Sequence, residues 1–232
     1  MIARQEAMVA ARFDELEARF KHELARDDPR LCAIAAQLGP LAGRRVLDLG
    51  SGKGRFGRAL AQQGAQVIAL DLSSRMLTAA RGLDRVRASA RRLPFCASSF
   101  DCVIAVEVFE HLLRQAVSDV LIEICRVLRA PGTLVVIDKN AWACNVHRPW
   151  LPGLAVKWID QRRGLWMYPR GSAVRERWFR PGKMKRLLAR WFGDVRVVHL
   201  LAPAERGRFP FQQFPGTRLF VLWAAQAPGG AT

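Results

Sequence analysis

Val46-Leu47-Asp48-Leu49-Gly50-Ser51-Gly52-Lys53-Gly54 is the stretch that decides the fold. A short apolar run carries one acid, and three glycines follow at alternate positions. Such a run reads as a parallel strand buried on both faces. The glycines let the backbone turn sharply and come close to a ligand. Arg55 to Gln63 then reads as a helix. Strand, glycine turn and helix are the opening of a nucleotide-type site at the carboxyl edge of a parallel sheet.

A dinucleotide fingerprint needs Gly-x-Gly-x-x-Gly. The third position after Gly52 is Arg55, so that pattern fails; the spacing is Asp-x-Gly-x-Gly-x-Gly, Asp48 through Gly54. Val67-Ile68-Ala69-Leu70-Asp71 is a second strand ending in an acid. It lies about 20 residues on, where a ribose-binding carboxylate belongs. Leu93-Pro94-Phe95 and Ser98-Ser99-Phe100-Asp101 lead into Val103-Ile104-Ala105-Val106-Glu107-Val108-Phe109-Glu110-His111-Leu112. Ile124-Cys125-Arg126-Val127-Leu128-Arg129-Ala130-Pro131-Gly132-Thr133-Leu134 reads as a helix, a turn and another strand. In this order, over residues 45–138, these motifs resemble the class I S-adenosylmethionine-dependent methyltransferases. The resemblance implies an α/β fold: a Rossmann-like, doubly wound, seven-stranded sheet, mostly parallel with a terminal antiparallel strand, and helices on both faces. Two positions depart from the family pattern. Ser89 stands where an acid often follows the third strand, and the usual Pro-Gly-Gly is Pro131-Gly132-Thr133.

The resemblance also implies roles. Asp48 and the backbone of Gly50, Ser51 and Gly52 are expected to hold the methionine part of S-adenosylmethionine, with S-adenosylhomocysteine as product. Asp71 is expected to accept both ribose hydroxyls, since two carboxylate oxygens match two vicinal donors. Leu72 is expected against the adenine, Ser89 and Ala90 at its polar edge, and the Val106 carbonyl facing the cofactor's ammonium. Asp71 could instead cap the next helix, a role that suits Ser73 better. The catalytic candidates are His111 and Glu110, with His111 as orienting group or general base, its ordinary pKa near 6.5 suiting the latter. A divalent ion on Glu107, Glu110 and His111 is the less favoured reading.

Composition sets the outer bounds. The chain has 232 residues, 50% of them hydrophobic, which suits one domain with a sizeable core. No run approaches the roughly 20 apolar residues of a membrane span, and Met1 to Glu6 carries no signal-peptide apolar core. Cys32, Cys96, Cys102, Cys125 and Cys144 are scattered with no Cys-x-x-Cys. Reduced thiols in a cytoplasmic protein are expected, and a zinc site is not. A net charge of +17 attracts phosphate-rich surfaces, unless the arginines form a merely solvated face.

Residues 1–40 read as an N-terminal helical lid. Val9, Phe13, Leu16, Phe20 and Leu24 form one face of a helix over 1–26, and Asp27-Asp28-Pro29 starts a second helix that Gly39-Pro40 ends. Residues 41–138 are the cofactor-binding half, with strands at 66–71, 85–89, 101–107 and 132–138. Residues 139–180 read as an insertion. A helix from Pro181 to Phe192 and strands at 195–201 and 218–224 fill 181–226. A Gly/Pro/Ala tail at 227–232 is expected to be disordered.

The insertion points to the acceptor. Between Ala141 and Arg190 stand 12 Lys/Arg, only Asp160 and Glu176 as acids, and five of the seven tryptophans. Trp beside Lys/Arg suits an anionic membrane interface or base stacking in a basic groove. Asp138-Lys139-Asn140, Tyr168-Pro169-Arg170-Gly171-Ser172 and Trp178 through Met184 are laid out similarly to the ubiquinone-biosynthesis O-methyltransferases, which carry a membrane-associating insertion here. That resemblance implies methylation of a hydroxyl on a small, lipophilic or lipid-linked acceptor, by a protein of the cytoplasm or the inner face of its membrane. An RNA acceptor and a catalytically silent basic binding module are the alternatives. Nucleic acid is disfavoured because the loop after the fourth strand is not an Asn-Pro-Pro-Tyr base-methylation loop.

Overall fold

The computed structural model describes residues 2–168 and 176–227. Residues 169–172 of the Tyr-Pro-Arg-Gly-Ser motif and most of the 227–232 tail lie outside these. The strands are β1 (Arg45–Leu49), β2 (Gln66–Asp71), β3 (Asp84–Arg87), β4 (Phe100–Val106), β5 (Leu128–Lys139), β6 (Val195–Leu200) and β7 (Phe220–Gln226). They form one seven-stranded sheet in the order β3-β2-β1-β4-β5-β7-β6. β7 runs antiparallel to both β5 and β6, and the other pairs are parallel. The expected doubly wound, mostly parallel sheet is therefore the fold. Two short 3-10 turns, and no α-helix, separate β6 from β7.

The helices are α1 (Ile2–Leu16), α2 (Pro29–Leu38), α3 (Arg55–Ala61), α4 (Ser74–Ala79), α5 (Arg114–Val127), α6 (Gly153–Arg162) and α7 (Pro181–Leu188). Successive strand residues point to opposite faces, which splits the core in two. Val103 and Ala105 of β4 join α5 and α7 through Val120, Ile124, Met184 and Leu188. Cys102 and Ile104 join α2 and α3 through Ile34, Leu38, Phe56 and Leu60.

Two expectations need correction. The first helix stops at Leu16 and tightens into a 3-10 turn at Glu17–Arg19, because the Glu17 carboxylate turns to meet Lys53 Nζ at 2.6 Å. α2 buries Leu31, Ile34 and Leu38 against the sheet. β5 begins at Leu128, ahead of the expected 132, because its start pairs with Phe100 across an irregularity in register.

Order reverses at β1, which pairs with β2 on one side and β4 on the other. A crevice opens at such a switch point outside the carboxyl ends of the strands. The glycine loop above β1 and the Glu107–His111 loop above β4 face each other across it.

The sheet's far end depends on Trp223, fully buried in β7, whose Nε1 donates to the Pro181 carbonyl at 3.0 Å. Trp223→Ala is expected to lower unfolding free energy by about 3–5 kcal/mol, read by urea unfolding followed by circular dichroism. A loss below about 1 kcal/mol would show that α7 and β7 are not held this way.

Candidate active site

Gly50 leaves β1 with φ +66°. A Cβ there would stand 2.6 Å from Val108 Cγ2, so only glycine permits both the turn and the close approach of the opposite loop. Asp48 is buried, and its Oδ2 accepts from Gly57 N at 3.0 Å. Asp71, at the tip of β2, accepts from Gly52 N at 2.8 Å on Oδ2 and from Ser73 N at 2.8 Å on Oδ1. The helix-capping role falls to Ser73, which accepts from Met76 N. Burial pushes the Asp48 carboxyl up to about 7, with the Asp71 charge adding to it and the Gly57 hydrogen bond opposing. Burial also raises Asp71.

Across the crevice, Glu107 sits at φ +58°. A left-handed conformation in a residue other than glycine costs of order 1–3 kcal/mol and persists where the surroundings fix it. Here Glu107 N donates to Ile137 O at 2.7 Å. Its carboxylate meets Arg30 Nη1 at 2.7 Å and Lys139 Nζ at 3.3 Å. Lys139 is the hub: its ammonium also lies 2.6 Å from Glu110 Oε1 and 3.6 Å from Glu176 Oε1. Glu107 and Glu110 therefore converge on a lysine, and no group of three metal-ligating side chains occurs among the described residues.

Burial pushes Glu110 up to about 8, with Glu176 and Glu107 adding to the shift against Lys139. The cluster therefore holds a proton near neutral pH, shared among coupled groups. Burial and then Lys139 push His111 down to about 4, so its imidazole is neutral. His111 Nδ1 lies 3.2 Å from the Tyr168 hydroxyl and Nε2 lies 3.4 Å from Glu110 Oε1. Phe13 meets its ring edge-on at 5.2 Å.

One cleft takes in Asp48, Gly50, Ser51, Gly52, Asp71, Leu72, Ala90, Val106, Glu107, Glu110 and His111. Ser89 does not line it. The Ser89 hydroxyl donates to Glu6 Oε1 at 2.7 Å, and Glu6 lines the cleft in its place. Sequence reasoning gave Glu6, Arg55 and Met167 no site role and put Val9 and Phe13 only on the apolar face of the lid helix; all five line the cleft. It gave Lys139 and Tyr168 no role. Their signal was chemical only: a lysine next to a buried acid and the single tyrosine of the chain. α1 and the insertion meet over this cleft, where the Arg12 guanidinium donates twice to Met167 O at 3.0 and 2.8 Å.

A methyltransferase-domain family model matches residues 47–136. The chain is 30% identical over 196 residues to a ubiquinone biosynthesis O-methyltransferase of Erwinia tasmaniensis, covering 79% of this chain and 74% of that one. It is 32% identical over 149 residues to a demethylmenaquinone methyltransferase of Clavibacter sepedonicus, covering 59% of this chain and 60% of the relative's length. An S-adenosylmethionine-dependent methyltransferase of Mesorhizobium loti shares the fold, with TM-score 0.64 at 21% identity over 85% of this chain and 97% of that one. The chain belongs to the class I S-adenosylmethionine-dependent methyltransferases, and S-adenosylmethionine is the cofactor of that class.

Stability should carry the mark of the raised carboxyls. Glu110 titrates at about 8 folded against an ordinary 4.5, and Asp48 at about 7 against 3.8. The folded chain thus binds more protons than the unfolded one, and the stability these groups contribute is lost as pH rises through their folded values. His111 and His199, both depressed, act in the opposite sense. Their contribution is nearly complete by about pH 7. Ligand-free protein is expected to melt lower at about pH 8.5 than at about pH 7, and Glu110→Gln to flatten that slope. A melting temperature that climbs over this interval refutes the assignment.

Proposed function

We propose that this protein transfers the methyl group of S-adenosylmethionine to a hydroxyl of a small, lipophilic or lipid-linked acceptor. The observation that carries the reading is a neutral, buried imidazole, His111, at the cleft wall beside Glu110. Around it the wall is apolar: Val9, Phe13, Phe20, Leu112 and Met167. The names of the relatives, ubiquinone biosynthesis O-methyltransferase and demethylmenaquinone methyltransferase, favour a quinone-like ring.

The residues present suit the cofactor. Asp71 uses two of its roughly four lone-pair sites on backbone amides, leaving room for ribose hydroxyls. Ser51 Oγ is buried without a partner. Asp48, Gly50, Ser51 and Gly52 would hold the methionine part, with the Val106 carbonyl facing its ammonium. Leu72 and Ala90 would flank the adenine, and Glu6, beside the Ser89 hydroxyl, would meet its polar edge. When bound, S-adenosylmethionine supplies a methyl group activated by its sulfonium for in-line displacement.

The chain's own residues do the rest. His111 Nε2 lies 3.4 Å from Glu110 Oε1, and Nδ1 lies 3.2 Å from the Tyr168 hydroxyl. With the ring proton on Nε2, Nδ1 would be the basic atom and would accept from that hydroxyl. An acceptor hydroxyl replaces that donor and gives its proton to Nδ1 as the methyl arrives. Phe13, Met167 and the α1–insertion contact exclude water. His111→Gln is expected to lower kcat by about 10²–10⁴ while S-adenosylhomocysteine binding stays within about twofold. Asp71→Ala should abolish that binding. Label from methyl-labelled S-adenosylmethionine is expected in the lipid fraction of a bacterial lysate; label in RNA alone would overturn the acceptor reading.

The insertion suits a membrane surface. Its tryptophans divide into two sets. Trp166 and Trp178 lie 5.6 and 5.5 Å from the Lys157 ammonium, which donates to Glu176 O at 2.6 Å. Trp142, Trp150 and Trp158 are 60%, 77% and 54% exposed. Arg162 stacks over Trp158 at 3.8 Å and Arg180 over Trp142 at 4.9 Å. No helix among the described residues is long and apolar enough to cross a membrane, so the contact would be peripheral. Vesicles containing phosphatidylglycerol should retain the protein at low salt and release the double variant Trp150→Ala/Trp158→Ala. Equal retention of the double variant counts against these side chains as the contact.

A further inference from the structure

Apart from Met8 and Ile122, every large apolar side chain exposed among the described residues belongs to the insertion or to the segment between β6 and β7. That segment, residues 201–219, takes no part in lining the cleft. It presents Phe209 and Phe214, 68% and 56% exposed, with their rings edge-to-face at 6.0 Å. The loop that carries them is firmly held. Phe211, between them in the chain, is fully buried. Arg218 donates to Phe211 O at 2.8 Å through Nε and to His199 O at 2.9 Å through Nη1. The buried Glu205 carboxylate accepts from Ala202 N and Leu219 N, each at 2.8 Å, and so ties the two ends of the loop together. Phe214 N donates to Pro210 O at 2.8 Å, and Thr217 N to Phe214 O at 2.9 Å. The fold thus buries one ring and fixes two others in water, and an apolar patch held outward in this way marks an interaction surface.

Its rim is cationic. Arg206 and Arg208 are exposed, and Glu205, the one acid between residues 201 and 219, is buried on its two amides. The loop also adjoins the insertion. Arg208 Nη1 donates to Val146 O at 3.1 Å, and Cys144 N donates to Thr217 O at 2.9 Å. Asn140 Nδ2 donates to Gly216 O at 2.7 Å and to Arg218 O at 3.0 Å. The phenylalanine loop therefore borders the stretch of the insertion that carries the exposed Trp142 and Trp150. Aromatic rings rimmed by arginine, with no exposed acid among them, suit a surface that is anionic at its face and apolar beneath. A second copy of the chain suits it less. A two-fold dimer sets the same patch against itself, and arginine would then meet arginine in a chain of net charge +17.

We infer that the β6–β7 loop is a second membrane contact, in which Phe209 and Phe214 enter the boundary between headgroups and acyl chains of an anionic bilayer while Arg206 and Arg208 meet lipid phosphates. The inference rests on the peripheral-membrane reading above and extends it to a segment outside the insertion. Two adjoining contacts act together, so each strengthens the retention that the other gives.

The test is co-sedimentation of the full chain with phosphatidylcholine vesicles, with and without phosphatidylglycerol. Phe209→Ser/Phe214→Ser is expected to lower the bound-to-free ratio on phosphatidylglycerol vesicles by about tenfold or more. Arg206→Gln/Arg208→Gln should lower it by a similar factor at low salt and by much less at high salt, where screening has already weakened the attraction. Phe209→Trp/Phe214→Trp keeps two interfacial aromatic rings and should bind at least as well as wild type; a loss in that variant would overturn the inference. Thermal melting checks that each variant folds, and the arginine and tryptophan pairs carry the test if the serine variant melts early. Wild-type retention with the serine variant unchanged would also overturn the inference, and would leave the insertion contact to be judged by its own tryptophan variant. A wild-type chain that no vesicle retains would refute the membrane reading as a whole, and this contact with it. A wild-type dimer in sedimentation equilibrium that the serine variant loses would assign the face to a second copy and overturn the bilayer as its occupant.

Discussion

The Lys139 ammonium holds the molecule's two halves in register. It sits at the end of β5 and contacts Glu107 and Glu110 from the loop after β4 and Glu176 from the insertion. Lys157, on α6, reaches the same Glu176 from the other side at 3.6 Å. Such a cluster is expensive to bury, and its value lies in being complete, since one missing partner strands a charge. Its carboxylates outnumber Lys139, and the balance is struck by Lys157, by Arg30 and by a proton held at elevated pKa. That proton sits one contact from His111. The packing that ties the insertion to the sheet is therefore also what keeps the imidazole neutral.

The opposite wall works by backbone geometry. The glycine loop brings amides onto Asp71 while Asp48 caps Gly57, so two acids are held close together and mostly out of water. Their raised pKa values measure the cost of that arrangement, and sites that store such cost are commonly functional. The strained Glu107, facing Gly50 through Val108, belongs to the same pattern. The two loops press together because β1 and β4 are neighbours, a consequence of strand order alone.

Local sequence made much of this legible. The Asp48–Gly54 spacing, the acid ending β2 and the order of the later motifs place the sheet, its polarity and most of the cleft lining. Strand positions came within a few residues because hydrophobic runs and turn residues act locally. Errors fell where distant contacts override local pattern. The face formed by Phe13, Leu16 and Phe20 continues past Leu16, but Glu17 leaves the helix for Lys53. Ser89 stands at the expected position, yet its hydroxyl turns to Glu6, some 83 residues away in the chain.

The sequence by itself determined the family, the fold, the glycine cradle and the pair of acids that face it, because each is written in residues close together. Only the tertiary structure decided which charges neutralise which. It gathered Glu107, Glu110 and Glu176 around a lysine hub and divided the tryptophans into a packed pair and an exposed group. Charge pairing depends on which side chains meet in space, and in this chain those contacts link segments dozens of residues apart.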